Sequence, residues 1–142
     1  MPYVAFDEYF RDIAARETRS LINLDNESIP PGEFGFMELF CDECDCRRAV
    51  IRAVKLNADC ELIATLSYGW GTRSFYSRWM GYEDDLAIRS MMGIQLMDFA
   101  PQSSHAESFL TLFKETLKDE AYEKRIRRHY SVFRKRIKRM EG

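Results

Sequence analysis

Three strand-like runs joined by short connections constrain the fold more than any other feature of this chain. They cover residues 34–41, 47–56 and 60–68, and along each run apolar side chains recur at every second position. This alternation is typical of strands with a buried face. Parallel pairing would need a crossover of a dozen residues or more, so the short connections predict an antiparallel meander. An edge strand at residues 18–24 would make this a sheet of three or four strands.

Helical patterns lie on both sides of this sheet. Residues 6–16 and most of the segment from about 74 to 139 carry apolar side chains at intervals of three and four, as one face of an α-helix does. The predicted fold class is therefore α+β. We expect a single domain over residues 1–142, with the sheet at about 34–68 and helices before and after it.

Two start signals divide the C-terminal helical segment. Ser104 and Glu107 have the spacing of a capping box, and Asp119 can cap the helix that follows. The apolar stripe of this last helix consists of Tyr122, Ile126, Tyr130, Phe133 and Ile137. A stripe of this length predicts a helix that packs along the body of the protein.

Composition agrees with a globular protein outside the membrane. Hydrophobic residues make up 46% of the 142 residues, the usual share for a packed domain. No apolar run approaches the roughly 20 residues that cross a bilayer. The first residues lack the basic-then-apolar order of a signal peptide. We therefore expect a cytoplasmic protein with reduced thiols and no membrane partner; the sequence leaves open a homo-oligomer.

The most specific chemical feature is the cysteine loop, residues 41–48, which contains the thiols of Cys41, Cys44 and Cys46. Structural zinc takes four tetrahedral ligands, and thiolates are among the best of them. The hypothesis is a zinc site held by these three thiols, with His129 as the favoured fourth ligand. The other candidates for that position are His105, Asp42, Asp45, a water molecule and a thiol of a second chain.

Cys60 does not fit the fourth position. A hairpin that turns at residues 57–59 places Cys60 beside Leu56, at the far end of a strand that rises about 3.3 Å per residue. The distance between Cys46 and Cys60 is then about 30 Å. We predict that Cys60 is a small hydrophobic residue of the core.

Two alternatives use the same loop. The spacing Cys41-x-x-Cys44 is that of thiol redox enzymes, but redox activity requires a lowered thiol pKa, usually from a helix N-terminus, which nothing in this loop predicts. In the other alternative Cys41 packs in the sheet, and Cys44 and Cys46 are loop thiols without chemistry. The chain also lacks the motifs of a nucleophile elbow, a phosphate loop or a zinc helix. The sequence therefore favours a binding or regulatory module over an enzyme.

A third reading concerns charge. Residues 121–142 contain nine Lys or Arg and two Glu, so this segment carries +7 and the rest of the chain −9. Such a basic segment can bind an anion or a nucleic acid, or it can pack against its own acidic body. The predicted anion-binding residues are Arg127 and Arg128 of the helix, with Arg47 and Arg48 of the cysteine loop. Neutralising the helix residues Arg127, Arg128, Arg134 and Arg136 would test this reading.

Six short motifs occur together over most of the chain. They are Gly35-Phe36-x-Glu38-x-Phe40-Cys41, Cys44-x-Cys46-Arg47-Arg48, Tyr68-Gly69-Trp70, Phe75-Tyr76-x-x-Trp79-Met80-Gly81, Pro101-Gln102-Ser103 and Arg128-His129-Tyr130-x-x-Phe133. With these motifs the chain resembles a family of small bacterial proteins without an assigned function. Its loop before Cys44 is a residue or two shorter than is usual in that family. The resemblance implies a bacterial cytoplasmic protein and assigns no catalytic residue.

Overall fold

The structure is a computed structural model that describes residues 3–57 and 59–141; Ala58 of the predicted turn lies outside these ranges. The described residues form six strands and six helices. In chain order these are β1 (Tyr3–Ala5), α1 (Phe6–Tyr9), α2 (Arg11–Glu17), β2 (Ser20–Asn23), β3 (Gly32–Cys41), β4 (Arg48–Lys55), β5 (Leu62–Gly69), α3 (Arg73–Met80), α4 (Asp85–Met91), β6 (Gly93–Leu96), α5 (Ala106–Thr116) and α6 (Glu120–Glu141). The predicted α+β class is confirmed.

The strands form one antiparallel sheet in the order β1-β3-β4-β5-β6, and β2 shares the β3 edge with β1. The central strands β3, β4 and β5 are the three predicted runs, paired as consecutive antiparallel neighbours. The sheet is nevertheless wider than the predicted three or four strands. The additional strands β1 and β6 contain three and four residues, which is too short for a period-2 pattern to identify them.

Local signals placed some helix boundaries correctly and others not. The predicted helix at 6–16 is two helices, because the backbone at Phe10 leaves the helical region. The capping box of Ser104 and Glu107 does not form, since His105 is the N-cap residue of α5 and no side chain caps it. The cap of α6 is confirmed: the Asp119 carboxylate accepts a hydrogen bond from the Ala121 N–H at 3.0 Å.

The core lies between one face of the sheet and the helices. Three phenylalanines of β3 project to this face, where Phe34 packs against Phe109 of α5 and Phe40 against Phe133 of α6. Every residue of the predicted α6 stripe is buried. Burying a side chain of this size stabilises the fold by about 1.5–3 kcal/mol. The stripe therefore fixes which face of α6 remains available to ligands.

Cys60 is not the core residue that the sequence predicted. It is exposed, with a φ of +47°. Strand β5 begins only at Leu62, so Cys60 belongs to the turn and not to the alternating face. Along residues 3–57 and 59–141, no helix combines the length and the apolarity needed to cross a membrane.

Candidate functional site

The N-terminal half of α6, residues 120–129, is attached to the body of the protein through His129. Its ring is 1% exposed, with Nδ1 lying 2.7 Å from Glu38 of β3 and Nε2 lying 2.7 Å from Glu17 of α2. Burial lowers the pKa of His129, but the hydrogen bonds and charges of Glu38 and Glu17 outweigh burial, so that its pKa is raised. As an imidazolium, His129 donates one hydrogen bond to each carboxylate.

Two of the predicted anion-binding residues also form ion pairs in this half of the helix. Arg127 pairs with Glu123 one turn earlier, at 2.6 Å, and Arg128 pairs with Glu17. The hydrogen bond from His129, followed by that from Arg128, lowers the pKa of Glu17. The charges of Arg127 and Arg128 are therefore already compensated by acids of the same chain.

The cysteine loop brings its three thiols together. Cys41 ends β3, and its Sγ lies 2.9 Å from the Sγ of Cys44. Cys44 also interacts with Cys46, and all three are free thiols. Cys41 and Cys46 are buried, whereas Cys44 is partly exposed. The zinc hypothesis requires these thiols to lie close together, and in the structure they do.

The spacing of the thiols differs from that of an occupied zinc site. Two thiolates that bind one zinc ion at about 2.3 Å stand about 3.8 Å apart, which is more than the 2.9 Å between Cys41 and Cys44. Both ring nitrogens of His129, the favoured fourth ligand, are engaged by Glu38 and Glu17. His129 binds Glu38 on the helix-facing side of β3, and Cys41 lies three residues along that strand on the opposite face. Among the described residues, no group of three or more His, Cys, Asp or Glu could hold a metal ion. Zinc binding stays a prediction.

The redox alternative gains no support from the same thiols. Burial, followed by the hydrogen bond with Cys41, raises the pKa of Cys44. Burial also raises the pKa of Cys46. Since the thiolate is the nucleophile in thiol–disulfide exchange, a raised pKa lowers the reactive fraction at neutral pH.

Aromatic residues hold the end of the cysteine loop against α6. The Tyr130 hydroxyl donates to the Asp45 carboxylate and accepts from the Arg47 N–H at 3.1 Å. The Arg47 carbonyl accepts from the Tyr76 hydroxyl at 3.0 Å and from the Trp70 N–H at 3.0 Å. These bonds keep Arg47 at a φ of +50°, a conformation that costs a non-glycine residue about 1–2 kcal/mol. The loop position is therefore set by hydrogen bonds.

A cavity of about 450 Å³ lies between this loop and the C-terminal half of α6, residues 130–141. Its lining residues are Asp45, Arg47, Trp70, Tyr130, Ser131, Arg134, Lys135 and Lys138. We call Arg47, Arg134, Lys135 and Lys138 the cavity cations. Three of them come from α6, where positions 134, 135 and 138 share one side of the helix. Arg47 faces them from the loop.

The cavity cations lack acid partners within residues 3–57 and 59–141, where no carboxylate forms an ion pair with any of them. The Nη1 of Arg134 is buried and has no hydrogen-bond partner in that part of the chain. The Arg47 guanidinium lies over the Phe75 ring at 3.9 Å, which leaves its in-plane N–H groups able to donate. The only acid in the lining, Asp45, already accepts from Tyr130.

Arg48 lies apart from this cavity, although it follows Arg47 directly. It is the first residue of β4, and its guanidinium donates a hydrogen bond to the Tyr3 hydroxyl at 3.5 Å. Of the four predicted anion-binding residues, the structure therefore brings only Arg47 to the cavity. Lys135, Lys138 and Trp70 were missed as site residues, and sequence patterns did not separate Arg134 from the other basic residues of the helix. The signal that could have identified the three helix residues is their spacing, because positions 134, 135 and 138 lie on one side of the helix in the turns after Tyr130.

No protein-family profile matches the chain, and comparisons with curated proteins and with solved structures find no significant match. The bacterial family resemblance and the cytoplasmic address therefore stay predictions.

Proposed function

We propose that this protein binds a small phosphate-bearing anion in the cavity between the cysteine loop and α6. The observation that carries the proposal is the convergence of four cationic side chains, those of Arg47, Arg134, Lys135 and Lys138, on one cavity. None of them forms an ion pair with a carboxylate in the part of the chain that the structure describes. A bound anion would supply the opposite charge.

Phosphate suits the cavity better than a carboxylate because of the number and type of donors. Two guanidinium groups and two ammonium groups line the cavity. Guanidinium groups donate two parallel hydrogen bonds to phosphate oxygens, and lysine adds a point charge. The tyrosine hydrogen bonds that fix Arg47 reduce the ordering needed on binding, which favours affinity.

The proposal makes this protein a binding module, in line with the expectation from sequence. It retains the anion-binding reading but moves it along the helix, from Arg127 and Arg128 to Arg134, Lys135 and Lys138. It requires neither a metal ion nor a reactive thiol.

Isothermal titration with pyrophosphate, with and without one substitution, tests the proposal. We expect Arg134→Gln to weaken binding about tenfold or more, because a hydrogen bond to a charged group contributes about 1.5–3 kcal/mol. The matched control is Arg136→Gln. It removes the same charge from the same helix, but Arg136 lies over the Tyr9 ring at 5.5 Å and does not line the cavity.

Arg136→Gln should leave the affinity within about twofold at an ionic strength near 0.15 M, where charges outside the cavity are largely screened. Equal losses in the two variants would show that binding depends on the net charge of the helix and not on this cavity. Absence of pyrophosphate binding at millimolar concentration would contradict the proposed function itself.

A further inference from the structure

We infer that the ligand of the cavity is a nucleotide with at least two phosphates, of the nucleoside diphosphate class. The inference rests on the proposed anion-binding function and goes further, because it assigns the organic part of the ligand. Two sets of lining residues carry it, the cavity cations and the pair of aromatic residues Trp70 and Tyr130.

The charge of the lining indicates more than one phosphate. Four cationic side chains and one carboxylate give the cavity a net formal charge of +3. A single phosphomonoester carries about −1.5 to −2 near neutral pH and would leave part of this charge uncompensated. A diphosphate adds about one further charge and a second group of acceptor oxygens. It can therefore contact the cations of α6 and Arg47 of the loop together.

The size of the cavity leaves room beyond the phosphates. About 450 Å³ lies within the range of about 300–1,000 Å³ that small-molecule sites occupy. Apart from Ser131, the part of the lining without charge is aromatic. Trp70 is partly exposed, and its ring packs edge-to-face on Tyr130 with centroids 5.0 Å apart. Indole is a stacking surface for nucleobases. An aromatic base is therefore the organic group that this wall suits best.

Trp70 is held in place before any ligand binds. Its backbone N–H donates to the Arg47 carbonyl, and its ring also packs against Tyr68 at 5.7 Å. The stacking surface and the loop cation are thus joined through one backbone hydrogen bond. A ligand that contacts both would bind to two preorganised groups at once.

A single nucleotide fits the charge distribution better than a nucleic-acid strand. A strand needs a basic track that continues along the protein. On α6 the track is interrupted, because Arg127 and Arg128 are compensated by Glu123 and Glu17. The positive surface beside the aromatic wall is therefore interrupted on its N-terminal side.

The test compares four probes by isothermal titration against the full-length protein: orthophosphate, pyrophosphate, adenosine and adenosine diphosphate. We expect adenosine diphosphate to bind about tenfold tighter than pyrophosphate, since stacking of one base on an aromatic side chain contributes about that factor or more. Pyrophosphate should in turn bind tighter than orthophosphate. In a Trp79→Phe background, fluorescence of the remaining Trp70 should change with adenosine diphosphate.

Trp70→Leu should bring the affinity for adenosine diphosphate down to that of pyrophosphate, while pyrophosphate binding stays within about twofold. If this variant does not fold, the ratio between the two probes in the unmodified protein decides. Equal affinities would overturn the nucleotide assignment and leave the proposed anion binding standing. Tighter binding of a single-stranded decanucleotide than of adenosine diphosphate would also overturn it. Binding of none of the phosphate probes would remove the proposed function as well.

Discussion

The two halves of α6 carry the same kind of residue and use it in opposite ways. In residues 120–129, Arg127, Arg128 and His129 are paired with acids of the protein itself, as in Arg128 with Glu17 and His129 with Glu38. In residues 130–141, Arg134, Lys135 and Lys138 face a cavity without acid partners in the described ranges. The first half attaches the helix to the sheet, and the second presents charge to solvent.

This difference shows that a run of basic residues is not one functional unit. Net charge alone would assign both halves to an anionic partner. Pairing within the chain removes Arg127, Arg128 and His129 from that role, because a compensated charge contributes little attraction. The halves therefore differ in what a substitution should change, which is stability in the first half and affinity in the second.

The largest expected effect is on stability, from the buried pair in the first half. Glu38→Ala should lower the free energy of unfolding by about 3 kcal/mol, since removing one partner leaves the other buried and undercompensated. The measurement is urea unfolding near pH 6. As a control, Lys118→Ala breaks an ion pair in which both side chains are largely exposed, and it should cost about 0.5 kcal/mol or less. Similar costs in the two variants would contradict the structural role of the first half.

The second prediction concerns the second half of α6, where a substitution should change affinity and not stability. The triple substitution Arg134→Gln, Lys135→Gln and Lys138→Gln should weaken pyrophosphate binding about 100-fold. It should leave the free energy of unfolding within about 0.5 kcal/mol, as surface substitutions usually do. The double substitution Arg127→Gln and Arg128→Gln, with the same measurements, should leave the affinity within about threefold. An equal loss of affinity in the double variant would break the distinction between the halves.

A pH dependence should belong to the first half alone. Because the folded pKa of His129 is raised, its contribution to stability is complete below the unfolded value of about 6.5 and is lost as pH rises through the folded value. On the acid side, the lowered pKa of Glu17 gives stability that is lost as pH falls through its folded value. Unfolding measured between pH 5 and 9 should therefore show a fall in stability above about pH 6.5 that His129→Gln abolishes.

An NMR titration of the two histidines provides the direct check. The chain has only His105 and His129, so their ring signals can be assigned with one variant. A His129 pKa at or below that of a free imidazole would contradict the ion-pair account of this half.

The smallest expected effect concerns Cys44 of the cysteine loop. Cys44→Ser should change the free energy of unfolding by about 1 kcal/mol or less and pyrophosphate affinity by less than twofold, because Tyr130 and Tyr76 hold the loop. Tyr130→Phe should cost more, about 1–2 kcal/mol, since the Arg47 N–H and the Asp45 carboxylate both lose their partner. A loss of several kcal/mol in Cys44→Ser that chelation reproduces would instead support the zinc prediction.

The elements of the fold that the sequence predicts are those set by local periodicity. The stripe from Tyr122 to Ile137 predicts both the existence of α6 and its buried face, and alternation identifies β3, β4 and β5. The short strands β1 and β6 carry no pattern of their own and exist through pairing with long neighbours. The sequence prediction for Cys60 was wrong because its own backbone has a positive φ, which removes it from the alternating face.

The division of α6 could be predicted only in part. The pair of Glu123 and Arg127 has the spacing of an i,i+4 ion pair and is visible in the sequence. The partners of Arg128 and His129 come from α2 and β3, about 90 to 110 positions earlier, as the bonds to Glu38 and Glu17 show. Which cations remain for a ligand is decided by these long-range contacts, and no local pattern records them.

The most direct test of the central claim is an NMR titration with pyrophosphate, in which both halves of α6 are observed in one molecule. We expect shifts in the Trp70 indole N–H, in the backbone amides of Arg47 and Ser131, and in the Arg134 side chain. Signals of Arg127 and Arg128 should stay in place. Shifts concentrated on Arg127 and Arg128, or spread evenly along the helix, would contradict the account.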